Sequence, residues 1–333
     1  MATPLHHATS VSPSGILGGT LLAITMLLLA TAAHAFIPTS ERNILLAIYN
    51  QTGGPGWTNN GGWNGKPRTE CGWYGVLCDA SGIHVTNITL PNNNLVGTLP
   101  SFSGMVSLIF FDVGFNHLTG SLPAMINLPS LALVYASTNQ LTGPTPDLSG
   151  VPSLGHFIVS YNQLSGAIGA LAGATSVFDA RNNQLTGPIP SLAGLTNLDT
   201  FEVSNNRLSG TVPPLTGLTN LQYFGATNNA LTGGIPSLSG LANLRIFAVD
   251  FNALTGPVPS LSGLTTLGIF KVGHNALSGY LPGVPFNVPL GAGGSSVCPN
   301  LLQPISDSNW DAATGKFPWW FPCDEIFSDG FGP

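Results

Sequence analysis

The stretch TFEVSNNRLSGTVP, from Thr200 to Pro213, recurs with small changes along the chain. Aligned on the pattern Asn-x-Leu-x-Gly it has nine copies, whose asparagines are Asn93, Asn116, Asn139, Asn162, Asn183, Asn206, Asn229, Asn252 and Asn275. The step between them is 23 residues, except for a step of 21 between Asn162 and Asn183. Such a period is typical of a solenoid, in which each unit buries its apolar face against its neighbours.

The recurring residues of one repeat can each be explained by the position they would occupy in the coil. Phe201 and Val203 alternate like the inward residues of a short strand, so stacked copies predict a parallel sheet along one side of the coil. Asn206 lies where the chain turns away, and its amide can both donate and accept, which predicts a buried asparagine ladder. Gly210 suits a left-handed backbone position, and Pro213 suits an extended return segment.

The consensus LxxLxxLxLxxNxLxGxIP over residues 81–282 resembles the leucine-rich repeat family, in the subtype common in plant receptor ectodomains. The resemblance implies an α/β-type leucine-rich-repeat solenoid: a right-handed curved coil whose parallel β-sheet lines a ligand-binding concave face. The copies depart from the pattern at residues 169–177, which lack the inward leucines, so we expect an irregular coil there. Thr145 also stands where a closing Leu, Ile or Val is expected.

Residues 36–80 resemble the N-terminal cap of the same family through ERNILLAIYNQTGGPGWTNNGGWN and CGWYGVLCD. This resemblance implies a disulfide between Cys71 and Cys78. It also implies an aromatic filling by Trp57, Trp63 and Trp73. Residues 283–333 are expected to form a C-terminal cap and a tail.

The chain contains four cysteines, in two pairs that are local in sequence: Cys71 with Cys78, and Cys298 with Cys323. An even count in an exported protein predicts disulfides, and local pairing is favoured among the three pairings because each pair lies outside the repeats, at opposite ends. A zinc site is the alternative, but the cysteines form no CxxC motif and no histidines cluster with them. We therefore expect two disulfides and no metal.

The N-terminus predicts export. An apolar run from Ile16 to Ala33 is followed by Ala-His-Ala, which suits cleavage of a signal peptide, residues 1–35, after Ala35. An uncleaved membrane anchor is the alternative reading. The expected location is secreted or at the cell surface, with the periplasm as the other choice. The last ten residues, DEIFSDGFGP, resemble a tail of exported gamma-proteobacterial proteins and indicate a bacterial source.

Charge is scarce throughout the chain. Only 7% of residues are charged, the formal net charge is -6, and the eight Lys and Arg are scattered singly. Nucleic-acid binding normally needs a basic patch that neutralises phosphates, so this function is excluded. No motif indicates a cofactor.

The outward side of the predicted sheet carries apolar and aromatic residues, which usually mark an interaction site. The candidate ligand-binding residues on this concave face are Phe110, Asp112, Phe115, Tyr135, Tyr161, Asp179, Arg181, Glu202, Tyr223 and Lys271. Under the alternative reading, neighbouring side chains cover one another and nothing binds.

Asp179 and Glu202 occupy the same position of neighbouring strands, about 4.8 Å apart. A retaining glycosidase uses two carboxylates at about this separation. Arg181 and Arg207 stand nearby, however, and the inner face of a solenoid is expected to be shallow and wet. We therefore expect a solvated charge cluster that orients a polar partner, rather than a catalytic pair.

Taken together, these patterns predict a non-enzymatic exported protein that binds a protein, peptide or glycan on its concave face. Two alternatives come from other functional classes. One is an inhibitor of secreted polysaccharide-degrading enzymes, which is how some plant members of the repeat family act. The other is a glycosidase that uses Asp179 and Glu202.

Overall fold

The computed structural model describes residues 36–284 and 293–320. The predicted signal peptide, the proposed Cys298–Cys323 disulfide, whose Cys323 is not among these residues, and the bacterial-type tail lie outside the described residues and stay predictions. The two described α-helices are α1 (Thr39–Gln51) and α2 (Ser308–Thr314). The strands, in chain order, are β1 (Val76–Cys78), β2 (Val85–Thr89), β3 (Val96–Thr98), β4 (Phe110–Asp112), β5 (His117–Thr119), β6 (Leu133–Tyr135), β7 (His156–Ile158), β8 (Ser165–Gly166), β9 (Val177–Asp179), β10 (Gln184–Pro188), β11 (Thr200–Glu202), β12 (Arg207–Thr211), β13 (Tyr223–Gly225), β14 (Ala230–Gly233), β15 (Ile246–Ala248), β16 (Ala253–Gly256), β17 (Ile269–Lys271), β18 (Ala276–Gly279) and β19 (Leu301–Leu302).

These strands form a leucine-rich-repeat solenoid with two main sheets. One has ten strands in the order β1-β2-β4-β6-β7-β9-β11-β13-β15-β17, and all its pairs are parallel except β1 with β2. The other has seven strands in the order β19-β18-β16-β14-β12-β10-β8, and β3 pairs with β5 nearer the N-terminus. Residues 81–282, all of them described, contain no α-helix, so the second layer of the repeats is built from short strands and turns.

A column of phenylalanines fills the interior behind the ten-stranded sheet. Each one occupies the middle position of its strand and is fully buried, and together they are Phe157, Phe178, Phe201, Phe224, Phe247 and Phe270. Their ring centroids are 5.4 to 5.8 Å apart. Stacked aromatic pairs contribute roughly 0.5–1.5 kcal/mol each beyond their area burial. The column therefore stabilises the register between neighbouring repeats.

The predicted asparagine ladder is confirmed. The Nδ2 group of Asn206 donates to the carbonyl oxygens of Ala180 at 3.0 Å and Val203 at 2.9 Å. Its Oδ1 accepts from the backbone N–H of Leu185 at 3.0 Å. One side chain thus satisfies backbone groups of its own turn and of the preceding repeat.

The ladder has one more rung than the sequence pattern indicates. Asn300 donates to the carbonyl of Val272 at 2.8 Å and accepts from Leu277 N–H at 2.9 Å, which are the bonds made by the other rungs. The Asn-x-Leu-x-Gly search misses Asn300 because the residues after it, Leu301 to Pro304, contain no glycine. Strand β19 follows it and pairs with β18, so the coil continues past residue 282.

The segment before the repeats packs against their first turn. Trp57, Trp63 and Trp73 are buried, with Trp57 and Trp63 ring centroids 4.9 Å apart and Trp63 and Trp73 centroids 5.2 Å apart. The expected Cys71–Cys78 disulfide is present, with a Cα–Cα distance of 5.5 Å. Since strand β1 pairs with β2, this segment covers what would otherwise be an open edge of the long sheet.

The shortened repeat is irregular only away from the ten-stranded sheet. Strand β9 keeps its parallel register with β7, in which Val177 pairs with His156. On the return side, the buried hydroxyl of Thr145 accepts from Gly169 N–H at 2.8 Å. The polar residue at position 145 therefore satisfies a backbone group that the shorter turn leaves unpaired.

Loss of one ladder rung should destabilise the coil measurably. We expect Asn206→Ala to lower the free energy of unfolding by about 3 kcal/mol, because buried backbone groups lose their partners. Denaturant unfolding followed by circular dichroism measures this loss. The exposed Gln163→Ala is the control and should change stability by less than about 0.5 kcal/mol. An Asn206→Ala protein as stable as this control would contradict the role assigned to the ladder.

Candidate functional site

The candidate site is the concave face, which is the outward side of the ten-stranded sheet. Parallel pairing places equivalent residues of successive repeats side by side, so each outward position forms a row along the coil. Glu202 is in register with Asp179 on one side and with Gly225 on the other. Tyr135 is in register with Asp112 and Ile158.

The aromatic residues at the N-terminal end of the face largely cover one another. The rings of Phe110 and Tyr135 pack edge to face with centroids 5.3 Å apart. The Tyr135 hydroxyl lies 2.9 Å from Nδ1 of His156, in hydrogen-bond contact. These half-buried side chains contact one another and offer little free surface, as the alternative reading expects, and whether they bind a ligand stays a prediction.

The exposed aromatics lie in another row, directly before the ladder asparagines. Phe115, Tyr161 and Phe251 are 63%, 53% and 49% exposed. All three have a left-handed backbone, with φ between 55° and 56°, which directs the row out of the coil. The Phe251 ring stacks on His274 with centroids 3.9 Å apart, and the Arg181 guanidinium lies 5.9 Å from the Tyr161 ring.

The expectation that Asp179 and Glu202 are solvated is wrong. Only 8% of Asp179 and 3% of Glu202 is exposed. Glu202 folds onto the sheet because its neighbour in register is a glycine: a Cβ atom at Gly225 would lie 2.5 Å from Glu202 Oε2. The backbone N–H of Ser204 donates to Glu202 Oε1 at 2.8 Å. The centre of the face is therefore a buried polar cluster.

Only one of the two expected arginines pairs with these carboxylates. Arg181 Nε lies 3.5 Å from Asp179 Oδ2, and the Arg181 backbone N–H donates to Asp179 Oδ1 at 3.1 Å. Arg207 instead lies on the exposed strand β12 of the second sheet and makes no ion pair with the described residues. The local excess of negative charge is larger than the sequence pattern predicts.

Burial dominates the electrostatics of the cluster. It raises the pKa of the Asp179 carboxyl, although the Arg181 N–H and guanidinium partly oppose this, and the nearby Glu202 charge adds to it. Burial also raises the pKa of the Tyr223 hydroxyl, with a further contribution from its hydrogen bond to Glu202. Tyr223 thus stays a neutral donor to the carboxylate at physiological pH.

A third buried acid, Asp250, belongs to this face and is absent from the candidates chosen from the sequence. It is 7% exposed, and the Thr227 hydroxyl donates to its Oδ1 at 2.5 Å. The Thr227 N–H in turn donates to Ser204 Oγ at 3.1 Å. The position of Asp250 in the sequence could have indicated it, because it lies two residues before a ladder asparagine. Most other repeats have glycine, serine or threonine at that position.

The two outer candidates are separate from this cluster. Asp112 lies near the N-terminal end, where burial raises the pKa of its carboxyl against a hydrogen bond from Gly114 N–H. Lys271 lies on β17, four strands from Asp179, or about 19 Å at the usual strand spacing.

Within residues 36–284 and 293–320, no group of three or more His, Cys, Asp or Glu could hold a metal ion. No described helix is both long and apolar enough to cross a membrane.

The fold is similar to that of leucine-rich-repeat ectodomains in solved structures. No protein-family model matches the sequence. The chain is 31% identical over 106 residues to a probable leucine-rich repeat receptor-like protein kinase of Arabidopsis thaliana, an alignment that covers 29% of this chain and 9% of that protein.

Solved structures of plant receptors have the same fold. The Arabidopsis receptor kinase HAESA, in complex with the peptide hormone IDA and the co-receptor SERK1, is 27% identical with a TM-score of 0.59, and the match covers 80% of this chain and 50% of that one. The PEPR1–AtPEP1 structure is 21% identical with a TM-score of 0.65 and covers 84% of this chain and 44% of that one. This chain therefore spans about half of these receptor chains or less. These named proteins are from plants, and the bacterial source stays a prediction.

Removal of the Arg181 side chain should raise the pKa of Asp179 further, because the guanidinium stabilises the ionised carboxylate. NMR titration of the Asp179 side-chain carboxyl carbon in Arg181→Ala measures the shift. Because burial raises the folded-state pKa of Asp179 above its ordinary value, ionisation of Asp179 lowers the free energy of unfolding as the pH rises from that ordinary value. The control Arg207→Ala removes the same charge from the opposite sheet and should leave the titration unchanged. Equal effects of the two variants would show that Arg181 is not the specific partner.

Proposed function

We propose that this protein is an exported, non-enzymatic binding protein that holds an extended peptide segment of a partner along its concave face. One observation carries the proposal: outward positions of the concave face that hold mostly uncharged residues in other repeats hold three buried acids here. They are Asp179, Glu202 and Asp250, and each is less than 9% exposed.

The coil does not need these acids. At the position of Asp179 and Glu202, other repeats hold Ile158 and Ala248, and the strands keep the same parallel register there. Burying a carboxylate is costly unless it is paired, and a single guanidinium, that of Arg181, serves the cluster. A cationic side chain of a partner bound over the face would offset part of this cost by charge attraction, without touching the buried carboxylates.

The row before the ladder asparagines suits a peptide backbone. Between Tyr161 and Phe251 it contains three asparagines: Asn182, which is half-buried, and Asn205 and Asn228, which are exposed. They are hydrogen-bonded to one another, with Asn205 Nδ2 to Asn182 Oδ1 at 3.1 Å and Asn228 Nδ2 to Asn205 Oδ1 at 3.0 Å. Side-chain amides keep further donors and acceptors, which a peptide bond matches on both sides.

The exposed aromatic residues Tyr161 and Phe251 lie on either side of these asparagines and define the length of the bound segment. Tyr161 and Phe251 are four repeats apart, or about 19 Å at the strand spacing. An extended peptide rises about 3.3 Å per residue, so about six residues fit between two anchoring side chains. Exposed aromatic residues of this kind are the side chains that most often dominate binding energy.

The HAESA complex supports this proposal, because that 27% identical ectodomain fold is described with a peptide hormone and a co-receptor bound. An extracellular location follows from the same proposal and from the N-terminal sequence. The chain's scarcity of charge favours association of ordinary speed with a weak dependence on salt.

A glycosidase is the second candidate, favoured by the burial of the two carboxylates and the raised pKa of Asp179. The contacts oppose it. Glu202 is held by Ser204 N–H and Tyr223, and with 3% exposure it cannot touch a glycosidic oxygen without rearrangement. Both oxygens of Asp179 face Arg181. General acid catalysis needs hydrogen-bond reach to the substrate, which this arrangement withholds.

A displayed peptide library selected on the mature protein tests the binding proposal directly. We expect extended peptides with apolar residues at both ends and a donor-rich centre. Tyr161→Ala and Phe251→Ala should each weaken the selected peptide at least about tenfold in a fluorescence polarisation titration. Selection of no peptide at all would refute the proposal.

The control for these variants is Tyr280→Ala. Tyr280 is 66% exposed but lies outside the concave face, so its removal should leave the affinity unchanged. A loss of affinity equal to that of Tyr161→Ala would place the peptide elsewhere on the coil.

The glycosidase candidate makes the opposite prediction about chemistry. We expect the mature protein to release no reducing sugar from a panel of plant and bacterial polysaccharides. Release that disappears in an Asp179→Asn, Glu202→Gln double variant, with unchanged thermal unfolding, would establish catalysis and overturn the non-enzymatic proposal.

A further inference from the structure

A polar groove lies on the flank of the coil, beside the start of the strands in the ten-stranded sheet. Its volume is about 350 Å³. Six of its lining residues come in pairs from three successive repeats: Asn197 and Asp199, Asn220 and Gln222, Asn243 and Arg245. In each repeat these are the positions nine and seven residues before the ladder asparagine. We call this feature the flank groove.

Two of the three asparagines of the flank groove are held in place by hydrogen bonds to the coil. Asn220 Nδ2 donates to the carbonyl of Thr196 at 2.8 Å, and Asn243 Nδ2 donates to the carbonyl of Thr219 at 2.8 Å. Each amide therefore has a fixed orientation, and its Oδ1 acceptor makes no hydrogen bond within the described residues. The result is two preorganised acceptors in neighbouring repeats.

Three other lining side chains have no partner within the described part of the chain. The side chains of Asp199, Gln222 and Arg245 make neither a hydrogen bond nor an ion pair there. Asp199 and Arg245 are two repeats apart, about 10 Å, which keeps the opposite charges from neutralising each other directly. The groove thus presents a carboxylate, an amide and a guanidinium in a row.

The coil itself does not require these residues. On the same flank, the second, third and fourth repeats hold serines at the first position, and the hydroxyl of Ser153 donates to the carbonyl of Pro129 at 2.8 Å, as the asparagines do. At the second position they hold Ile109, Ala132 and Gly155. Amides and charges appear on this flank only where the groove lies.

The chemistry of the lining selects the ligand class. An apolar ligand would leave the amides and both charges unpaired, at a cost of about 1–3 kcal/mol for each buried polar group. A hydroxyl group both donates and accepts, so a row of hydroxyls can satisfy carboxylate, amide and guanidinium together. We propose that the flank groove binds a linear oligosaccharide through its hydroxyl groups, at a site separate from the peptide-binding concave face.

The test is a titration of the full mature protein with a panel of oligosaccharide hexamers, namely cello-, xylo-, malto-, chito- and galacturono-hexaose, by isothermal calorimetry. We expect at least one hexamer to bind. The Gln222→Ala, Arg245→Ala double variant should weaken that binding at least about tenfold, because two of the three unpartnered groups are removed. Binding of no hexamer would overturn the proposal.

A matched control removes the same two residue types elsewhere. Gln163→Ala, Arg207→Ala changes an exposed glutamine just before strand β8 and an exposed arginine on strand β12, and should leave the affinity within twofold of the parent protein. An equal loss in both double variants would overturn the proposal. Tyr161→Ala should keep full oligosaccharide affinity, and the groove variant should keep full peptide affinity, so failure of one proposal is distinguishable from failure of the other.

Discussion

The asparagine ladder is the interaction on which the rest of the structure depends. Each rung donates to a carbonyl of its own turn and one of the preceding repeat, and accepts from the N–H that follows the preceding rung. Two sheets can then diverge from one buried turn without leaving backbone groups unpaired. The ladder also explains which variations are tolerated. A two-residue deletion before Asn183 and a longer excursion before Asn300 both fit, because each still returns an asparagine to the same place.

The ladder and the phenylalanine column hold the strands in register, so equivalent outward residues of successive repeats form rows along the sheet. Uncharged residues fill most outward positions of the N-terminal repeats, and the strands keep the same register there. The charged residues of the repeats therefore need another explanation, and most of them lie between Asp179 and Asp250. Two surfaces come from this stretch: the buried acids of the concave face and the amide-lined flank groove. Both depart from what the scaffold requires, which is the physical basis for assigning them to ligands.

The concave face also shows how strongly one neighbour controls exposure. The same strand position that would expose a glutamate beside a bulky residue buries Glu202 beside Gly225, because the absent side chain leaves room for the carboxylate. Burial then raises the pKa of Asp179 and of Tyr223. The carboxylates of the site are hydrogen-bond acceptors with few donors and only one cation, Arg181, beside them. Aromatic residues behave in the opposite way. Tyr135 is covered by its neighbours, whereas Tyr161 is directed outward by a left-handed backbone.

Much of this protein follows from its sequence alone. The period of the repeat, the inward residues and the asparagine ladder can be predicted, because each recurs at a fixed spacing. The Cys71–Cys78 disulfide is implied by the resemblance of residues 36–80 to the N-terminal cap of the repeat family. The rows of outward residues are readable too. The contacts of their side chains cannot be predicted in the same way, because they depend on neighbouring repeats. Examples are the burial of Glu202, the pairing of Asp179 with Arg181 and not Arg207, and the inclusion of Asp250 and Asn300. The sequence determined the coil, because local spacing decides which residues face inward. Only the tertiary structure decided which outward residues are free, since exposure depends on the volume and charge of neighbours that are distant in sequence.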